Sequence, residues 1–415
     1  MKGNNDQYTT ITACSICRSR TLHKFLSLGP IPLANSFLRE DQLSAPEPHY
    51  PLDVCFCSTC GLVQLAHVVD PEILFKDYAY LTSTSKPMEA HFAKLAEDII
   101  WRFNVPPGSL VVDIGSNDGT LLHSFQKYDM KTLGIEPAAN VAKLAVSRGI
   151  ETRNDFFDER LARRLCAERG QAKVISATNV FAHVADLEGF TRGVTHLLAE
   201  DGIFAIEVPY LVDMLKRLEF DTIYHEHLRY FAVQPLVTLF SRLGMGIVEV
   251  QHIGVHGGSI RVYVQKSPCS LSSRKAELLK LEAEAKLGSL KTYQKFAEEV
   301  GGMKESLLSL LKSLKAQGAI IAGYGATAKG NTLLNYCNIG TDILDYISDT
   351  TPFKQGRYTP GMHIPVFPES HFHESPPDYA LLLAWNYAGK ILQKEVVYRQ
   401  AGGRFILPLP KPQLV

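Results

Sequence analysis

Residues 110–120 read LVVDIGSNDGT, an apolar run followed by a polar turn with two glycines, Gly115 and Gly119. The apolar run is typical of a buried β-strand, and the small residues after it are typical of a tight turn into a helix. At such a turn the backbone can approach a ligand while the first N–H groups of the helix point outward. The glycine spacing is not the GxGxxG pattern of dinucleotide-binding proteins, so this turn fits a nicotinamide cofactor poorly. We predict a cofactor site at this turn.

The segments around this turn alternate between strand-like and helix-like patterns. Strands separated by helical stretches are predicted at Leu110–Ile114, Thr132–Glu136, Glu151–Asn154, Val174–Ala177 and Ile203–Val208. This alternation is typical of a parallel sheet covered by helices on both faces. Two later strands, Gly246–Val250 and Ser259–Gln265, are close enough in sequence to form an antiparallel hairpin at the sheet edge.

The C-terminal part repeats the α/β pattern after a helical stretch. Residues 270–317 are rich in Lys, Glu, Ala and Leu, which predicts one or two long helices with a solvated charged face. Further strands are predicted at Ala319–Ala322, Leu344–Ser348 and Tyr379–Leu383. We therefore predict an α/β protein whose second Rossmann-like unit follows the first.

Cysteine is concentrated at the N-terminus, where five of the eight lie in the first 60 residues. Four of them form two Cys-x-x-Cys pairs, Cys14 with Cys17 and Cys57 with Cys60. Four thiolates complete a tetrahedral Zn²⁺ site with no open position for water, which indicates a structural ion. We leave Cys55 out of the site as a plain buried residue. The alternative is two chance pairs, one of them redox-active.

The turn at 113–119 resembles motif I of class I S-adenosylmethionine-dependent methyltransferases. Glu136 ends the second strand, where a carboxylate can accept both ribose hydroxyls of an adenosine. Asp155 and Phe156 follow the third strand and could flank the adenine, and Asn179 follows the fourth, near the amino acid part of the cofactor. The predicted cofactor-binding residues are Asp113, Gly115, Asn117, Gly119, Glu136, Asp155, Phe156 and Asn179. A strand–turn–helix unit without a ligand is the alternative.

Acid–base side chains cluster after the fifth strand, in Tyr224-His225-Glu226-His227. Ligands of open α/β sheets bind beyond the carboxyl ends of the strands, so this segment is expected near the reacting atoms. His227 suits a general base, Glu226 could orient a histidine, and Tyr224 could donate to an oxyanion. His183 follows the fourth strand and could reach the same pocket. A second metal site is the alternative interpretation.

A second glycine-rich turn, Gly323–Asn331, carries a lysine in the C-terminal unit. Lys329 and Asn331, together with Lys354 and Arg357, offer donors for a diphosphate. The alternative is a turn used only for packing. His256, on the predicted hairpin, could contact substrate or serve the fold.

The combined motifs resemble the nucleotide-sugar C-methyltransferases that act on 4-keto-deoxyhexoses. The resemblance rests on the four cysteines followed by GLVQL (61–65), the DIGSNDG turn, YHEH, His256-Gly257-Gly258-Ser259 and GYGATAKGNTLL (323–334), and it spans essentially the whole chain. It implies a class I methyltransferase core, an N-terminal zinc module with four cysteine ligands and a Rossmann-like C-terminal domain. The implied domains are residues 1–70, 71–267 and 268–415.

The resemblance also implies roles for individual residues. His227 would remove the proton beside the ketone, assisted by Tyr224, Glu226 and His183, with Tyr78 near the sulfonium. The C-terminal domain would hold the nucleotide diphosphate, thymidine- or GDP-linked. Methylation at C3 is the expected outcome and C5 the alternative. Lys390 departs from the family pattern, which has an acid in its WNY-x-x-E segment, so the resemblance implies no role for that position.

Charge and hydropathy limit the partners of the chain. Lys and Arg total 43, and Asp and Glu total 43, so the formal charge is zero, which argues against a zinc-ribbon methyltransferase acting on nucleic acid. The segment between the cysteine pairs is not basic either, and its Leu28–Leu33 run predicts a proline-rich loop that packs on another domain. The N-terminus lacks the apolar core of a signal peptide, and no apolar run approaches the ~20 residues of a membrane span. We expect a monomeric cytoplasmic enzyme.

Overall fold

The computed structural model describes residues 7–75, 81–84, 86–266 and 272–415. Its N-terminal part, here called the zinc module, contains five strands, a 3₁₀ turn at Glu40–Gln42 and one short helix: β1 (Tyr8–Thr10), β2 (Leu22–Ile31), β3 (Tyr50–Cys57), β4 (Val63–Leu65), β5 (His67–Val69) and α1 (Pro71–Phe75). Strands β2, β3 and β4 form an antiparallel sheet, while β1 pairs with β5. The prediction of a loop at residues 28–33 is wrong for residues 28–31, which belong to β2. At the end of this strand, Pro30 and Ile31 pair with Pro51 and Tyr50 of β3.

The central part is a helix-covered sheet that begins after a long helix. Its elements are α2 (Lys86–Arg102), β6 (Leu110–Ile114), α3 (Thr120–Gln126), β7 (Lys131–Ile135), α4 (Ala139–Ser147), β8 (Thr152–Arg153), α5 (Glu159–Arg169), β9 (Ala172–Thr178), α6 (Leu187–Leu197), β10 (Leu198–Pro209), α7 (Leu211–Lys216), β11 (Arg229–Tyr230), α8 (Val233–Arg242), β12 (Gly246–Ile253) and β13 (Ser259–Gln265).

The order of strands confirms the predicted parallel sheet with a hairpin at one edge. The seven strands lie in the order β12-β13-β10-β9-β6-β7-β8. The five from β10 to β8 are parallel, and β12 and β13 are antiparallel to their neighbours. The order reverses between β6 and β9, and ligands of such sheets bind in the crevice at this point, beyond the carboxyl ends of the strands.

Strand β11 leaves the central part and joins the zinc module. It pairs with β4, and the resulting sheet has the order β11-β4-β3-β2. Because β11 follows Tyr224–His227 directly, this pairing holds one end of the YHEH segment against the zinc module.

The C-terminal part confirms a second parallel α/β unit. Its elements are α9 (Ser273–Glu284), α10 (Leu290–Ala316), β14 (Ile321–Tyr324), α11 (Ala328–Cys337), β15 (Ile347–Ser348), β16 (Val366–Phe367), α12 (Glu369–Glu374), β17 (Tyr379–Leu382), α13 (Ala388–Lys394), α14 (Val396–Gln400), β18 (Arg404–Leu407) and β19 (Gln413–Leu414). The sheet order is β16-β15-β14-β17-β18-β19, parallel except for β19.

Helix α9 is buried at two of its charged positions, and the prediction of a solvated charged face is wrong there. Glu282 is buried and accepts from the N–H groups of Val233 and Gln234 at 2.6 and 3.1 Å, at the start of α8. Lys275 is buried and donates to the carbonyl of Ile247 at 2.9 Å. Buried charges persist where they meet such partners, and a carboxylate suits the positive end of a helix.

Candidate active site

A cavity of about 860 Å³ lies beyond the carboxyl ends of the parallel strands. Most of its walls come from the central part, and Lys329 reaches it from the C-terminal part. The predicted site residues that line it are Asp113, Gly115, Asn117, Glu136, Asp155, Phe156, Asn179, His183, Tyr224, His227 and Lys329. The cavity therefore brings together the predicted cofactor residues and the predicted acid–base residues.

The turn from β6 into α3 requires glycine for steric reasons. Gly115 has φ +66°, and a Cβ atom there would lie 2.3 Å from Cγ2 of Val180. A Cβ atom at Gly119 would lie 2.7 Å from Cγ1 of Ile150, and Gly119 faces this contact and not the cavity. The turn thus packs directly against the segment after β9, which brings that segment to the cavity wall.

Two carboxyl groups line the cavity wall at the ends of β6 and β7. Glu136 accepts from the N–H groups of Asn117 and Ala138, both at 2.9 Å, and burial raises its pKa. Asp113 accepts from the Ser176 hydroxyl at 2.6 Å, and burial raises the pKa of Asp113 to about 7. Each carboxylate oxygen has a second lone pair, so both groups can still accept from a hydroxylated ligand. The Glu136 carboxylate therefore suits the two hydroxyls of a ribose, and the Asp113 carboxyl group can accept from another donor of the same ligand.

The remaining cofactor candidates follow the next strands. Asp155 is half-buried and accepts from the N–H group of Phe156 at 2.9 Å, while the Phe156 ring is 44% exposed at the cavity. Asn179 has φ +57° and donates its N–H to the carbonyl of Glu207 at 2.9 Å. An exposed aromatic ring beside a carboxylate is a suitable wall for a purine base.

His227 is held in one tautomer by its two ring partners. Its Nδ1 lies 2.8 Å from the carbonyl oxygen of Thr222, and its Nε2 lies 2.8 Å from the hydroxyl of Tyr224. A carbonyl oxygen only accepts, so Nδ1 carries the proton and Nε2 of the neutral ring is the acceptor. The arrangement therefore presents an unprotonated nitrogen beside a hydroxyl donor.

His183 completes the wall of this part of the cavity. Its ring centroid is 5.0 Å from that of His227, and burial lowers the pKa of His183 to about 4. The ring is therefore neutral at neutral pH. Two imidazoles and one phenol converge here, and the His183 imidazole is uncharged.

The two inner residues of the YHEH segment face away from the cavity. Glu226 is buried and accepts from Nδ2 of Asn35 in the zinc module at 2.6 Å, and burial raises its pKa to about 7. His225 is buried, with Nε2 3.1 Å from the carbonyl of Tyr50. Neither His225 nor His227 belongs to a group of three or more ligand atoms among the described residues. The alternative of a second metal site at this segment gains no support.

The four predicted zinc ligands lie together in the zinc module. Their sulfur atoms all lie within 4.8 Å of one another, with Cys14 to Cys60 and Cys17 to Cys57 both at 3.5 Å. Tetrahedral Zn–S bonds of about 2.3 Å would place the sulfurs about 3.8 Å apart, so the cluster fits Zn²⁺. Cys55 is buried nearby on β3 but is not one of these four.

The comparisons with known proteins agree with this arrangement. Three family models match in succession: a zinc-binding domain over residues 14–75, a methyltransferase domain over 88–250 and a C-methyltransferase C-terminal domain over 254–410. The C-methyltransferase NovU of Streptomyces niveus is 37% identical over 407 residues, which cover 98% of this chain and 97% of that protein. The chain belongs to the C-methyltransferase family.

Solved structures of other methyltransferases match less than half of this C-methyltransferase, at low identity. Magnesium protoporphyrin IX methyltransferase (ChlM) from Synechocystis PCC 6803 has a TM-score of 0.33 and 11% identity and covers 43% of this chain and 79% of its own. An S-adenosylmethionine-dependent methyltransferase from Clostridium acetobutylicum ATCC 824 has a TM-score of 0.35 and 12% identity and covers 43% and 92%.

The C-methyltransferase has a class I Rossmann-like core that uses S-adenosylmethionine and an N-terminal module with a four-cysteine zinc site, as the matched domains, the strand order and the cysteine cluster indicate. None of the described helices is both long and apolar enough to cross a membrane.

The C-terminal residues predicted to bind substrate lie in different environments. Lys329 lines the cavity, with its Nζ 3.8 Å from Glu219 and 4.9 Å from the ring centroid of Trp385. Asn331 is buried and donates to the carbonyl of Ala34 in the zinc module at 2.7 Å.

The other predicted site residues either do not line the cavity or have side chains outside the part of the chain that the structure describes. Lys354 donates to the carbonyl of Ala326 at 2.7 Å. Because Ala326 lies in the glycine-rich turn, this hydrogen bond stabilises the turn. The Arg357 guanidinium lies 3.9 Å from the ring centroid of Phe353. The backbone of His256 belongs to the short turn Val255–Gly257, its side chain is not described, and Tyr78 lies outside the described residues.

Three residues at this site were missed in the sequence. Asn35 and the carbonyl of Thr222 carry no local signal. Arg229 does carry one, because it is a lone charge within the apolar run Leu228–Val233. The structure shows it buried among neutral oxygens, and burial lowers its pKa to about 10.

Proposed function

We propose that this C-methyltransferase methylates the carbon beside the ketone of a nucleotide-diphosphate 4-keto-deoxyhexose, at C3, in deoxysugar biosynthesis. The observation that carries the proposal is the His227 ring, whose Nδ1 faces the Thr222 carbonyl and whose Nε2 faces the Tyr224 hydroxyl at the cavity wall. A carbon acid needs a neutral base and an adjacent donor for the developing oxyanion, and this pair supplies both.

In the proposed reaction His227 Nε2 takes the proton from the carbon beside the ketone, and the C–H electron pair moves toward the ketone oxygen. As the substrate binds, the Tyr224 hydroxyl turns its hydrogen from His227 Nε2 to that oxygen, which frees the Nε2 lone pair for the C–H proton. His227 keeps its Nδ1 proton, which stays hydrogen-bonded to the Thr222 carbonyl. S-adenosylmethionine supplies the electrophilic methyl group. A placed base is worth about 10²–10⁴ in rate, and an oxyanion donor about 3–4 kcal/mol.

We propose a supporting role for each of the other predicted catalytic residues. His183 stays uncharged because its pKa is lowered to about 4, so it acts as a hydrogen-bonding wall and not as a competing cation. We propose that Glu226 acts through the backbone, since its carboxyl group accepts from Asn35 and not from a histidine. Tyr78 keeps the role that the family resemblance implies.

For the cofactor, we propose that Glu136 accepts the ribose hydroxyls and that Asp155 and Phe156 flank the adenine. Asn179 and Asp113 would serve the amino acid part, while the remaining predicted residues, Gly115, Asn117 and Gly119, shape the turn. For the sugar nucleotide, Lys329 is the cation from the C-terminal part that lines the cavity, and we propose it as the diphosphate contact. Lys354, Asn331, Arg357 and His256 would support this domain around it.

The proposal keeps the division into residues 1–70, 71–267 and 268–415, with the last domain holding the nucleotide. The partner is a small anionic sugar nucleotide, with no nucleic acid or membrane, and the enzyme is a cytoplasmic monomer. The balanced charge of the chain supports a small anionic substrate, because a few cations at the site suffice to bind one diphosphate.

The test is product analysis with thymidine-, GDP- and CDP-linked 4-keto-deoxysugars and S-adenosylmethionine. We expect a mass gain of one methyl group on one of them, with NMR separating C3 from C5. His227→Asn should abolish exchange of the acidic C–H with D₂O and leave cofactor binding intact, whereas the surface variant His196→Asn should change neither. The proposal is falsified if no 4-keto sugar is methylated. Exchange retained in His227→Asn would move the base to His183 or Glu226.

A further inference from the structure

Arg229 lies between the four-cysteine site and the two histidines of the active site. It begins β11 two residues after His227, and its backbone pairs with Gln64 of β4 in the zinc-module sheet. The preceding residue, Leu228, donates its N–H to the carbonyl of Ala182 at 2.9 Å, next to His183. The backbone at this point therefore contacts both the zinc module and the loop that carries His183.

The guanidinium group makes a second connection between the same two segments. Its Nε donates to the hydroxyl of Ser15 at 2.9 Å, and Ser15 lies inside the first cysteine pair. Its two terminal nitrogens donate to the carbonyls of Val184 and Ala185, the latter at 2.9 Å, and these residues follow His183 directly. One planar group thus joins the metal knuckle to the His183 loop.

The charge of this buried group fits the metal site beside it. Arg229 is 5% exposed, and its hydrogen-bond acceptors among the described residues are neutral oxygens. A buried cation needs negative charge nearby. Cys14 and Asp186 favour the charged guanidinium electrostatically, and Arg18 opposes it. Four thiolates on one Zn²⁺ carry a net charge of about −2, which would stabilise the guanidinium.

We propose that Arg229 is a positioning residue that fixes the backbone of His183 and His227 against the zinc knuckle. The inference rests on the proposed function, in which these histidines face the substrate. A lysine cannot replace it, because a single ammonium group cannot reach three acceptors on two segments in the fixed planar fork of a guanidinium.

The test compares hydrogen–deuterium exchange in the full zinc-loaded chain with exchange in its Arg229→Lys variant. Peptides covering residues 180–187 and 224–228 should exchange about tenfold faster, while peptides of α2 should not change. The kcat should fall about 100-fold with a KM shift below about threefold, because misplacement near 1 Å costs that much in rate. Zinc content and the Kd of S-adenosylmethionine should match the unaltered protein. Unchanged exchange at 180–187, equal acceleration in α2, or a kcat within threefold would overturn the proposal.

A second variant removes only the knuckle end of the connection. Ser15→Ala should retain zinc and accelerate exchange at residues 180–187 by about threefold, and it decides the question alone if Arg229→Lys does not fold. Arg102→Lys, at the far end of α2, is the control and should change nothing. The exchange measurement needs no substrate. If the unaltered protein transfers no methyl group, the proposed function is contradicted, while the role of Arg229 is still decided by the exchange measurement.

Discussion

The YHEH segment divides its side chains between two environments. Tyr224 and His227 are half-buried at the cavity, whereas His225 and Glu226 are buried against the zinc module. The inner pair meets Tyr50 and Asn35, residues that no local pattern links to this segment. The outer pair does the proposed chemistry, and the inner pair fixes the position of the outer one.

Glu226 gives a pH-dependent test of this division. Burial raises its pKa to about 7, so between about pH 4.5 and 7 the folded protein holds a proton that the unfolded chain releases. Stability should therefore fall as pH rises through this window. Gln does not titrate and still accepts from Asn35, so Glu226→Gln should gain stability relative to the unaltered protein, by about 2–3 kcal/mol between pH 5 and pH 8.

Urea unfolding at pH 5, 6, 7 and 8 measures this difference. Glu298→Gln is the matched control, because it makes the same substitution at an exposed position on α10. A Glu226→Gln difference that stays constant within about 0.5 kcal/mol would contradict the buried, protonated carboxyl.

At the scale of elements, the turn between β6 and α3 positions the segment that follows β9. The close approach of Gly115 to Val180 brings Asn179 and His183 toward the cavity. The same turn holds the region before α2, since Asn117 and Asp118 accept from the N–H groups of Thr82 and Ser83 at 2.9 and 3.0 Å.

Gly115→Ala should weaken cofactor binding through this contact. The new Cβ would lie 2.3 Å from Cγ2 of Val180, so the turn must shift, and S-adenosylmethionine should bind at least about tenfold more weakly. Gly108→Ala is the matched control: it has φ +78° but nothing within 4 Å of a Cβ, so it should cost only about 1–2 kcal/mol of stability.

Isothermal titration measures both affinities, and Val180→Ala in the Gly115→Ala background should recover part of the loss. Equal affinities for the two glycine variants, or no recovery in the double variant, would mean that the Gly115–Val180 contact does not control the cofactor site.

The elements that could be predicted from the sequence are those marked by a local pattern of residues. The strand–turn–helix at residues 110–126, the parallel strands after it and the edge hairpin all follow from periodicity and turn chemistry. Short strands such as β18 and β19 were missed because four or two residues carry too little pattern. Contacts such as Asn35 with Glu226 join residues 191 positions apart, and no local rule finds them.

The whole molecule is joined by polar contacts between its three parts. The zinc module meets the C-terminal part where Asn331 donates to Ala34, and where Leu38 and Tyr358 form a β-bridge. The central and C-terminal parts meet at Asp221 and Trp385. The cavity therefore lies within one connected body, and sequence could predict the parts but not these junctions.

Trp385 is expected to stabilise the junction of the central and C-terminal parts. Its Nε1 donates to the buried carboxylate of Asp221 at 2.6 Å, while the other oxygen of Asp221 is buried without a hydrogen-bond partner among the described residues. Removing a donor from a buried charged acceptor costs about 1.5–3 kcal/mol, so Trp385→Phe should lower the free energy of unfolding by this amount and lower Tm. Trp101→Phe, at a ring that is 68% exposed, should cost less than about 0.5 kcal/mol. Calorimetry on both variants compares them directly, and equal losses would mean that the Trp385–Asp221 hydrogen bond does not hold the two parts together.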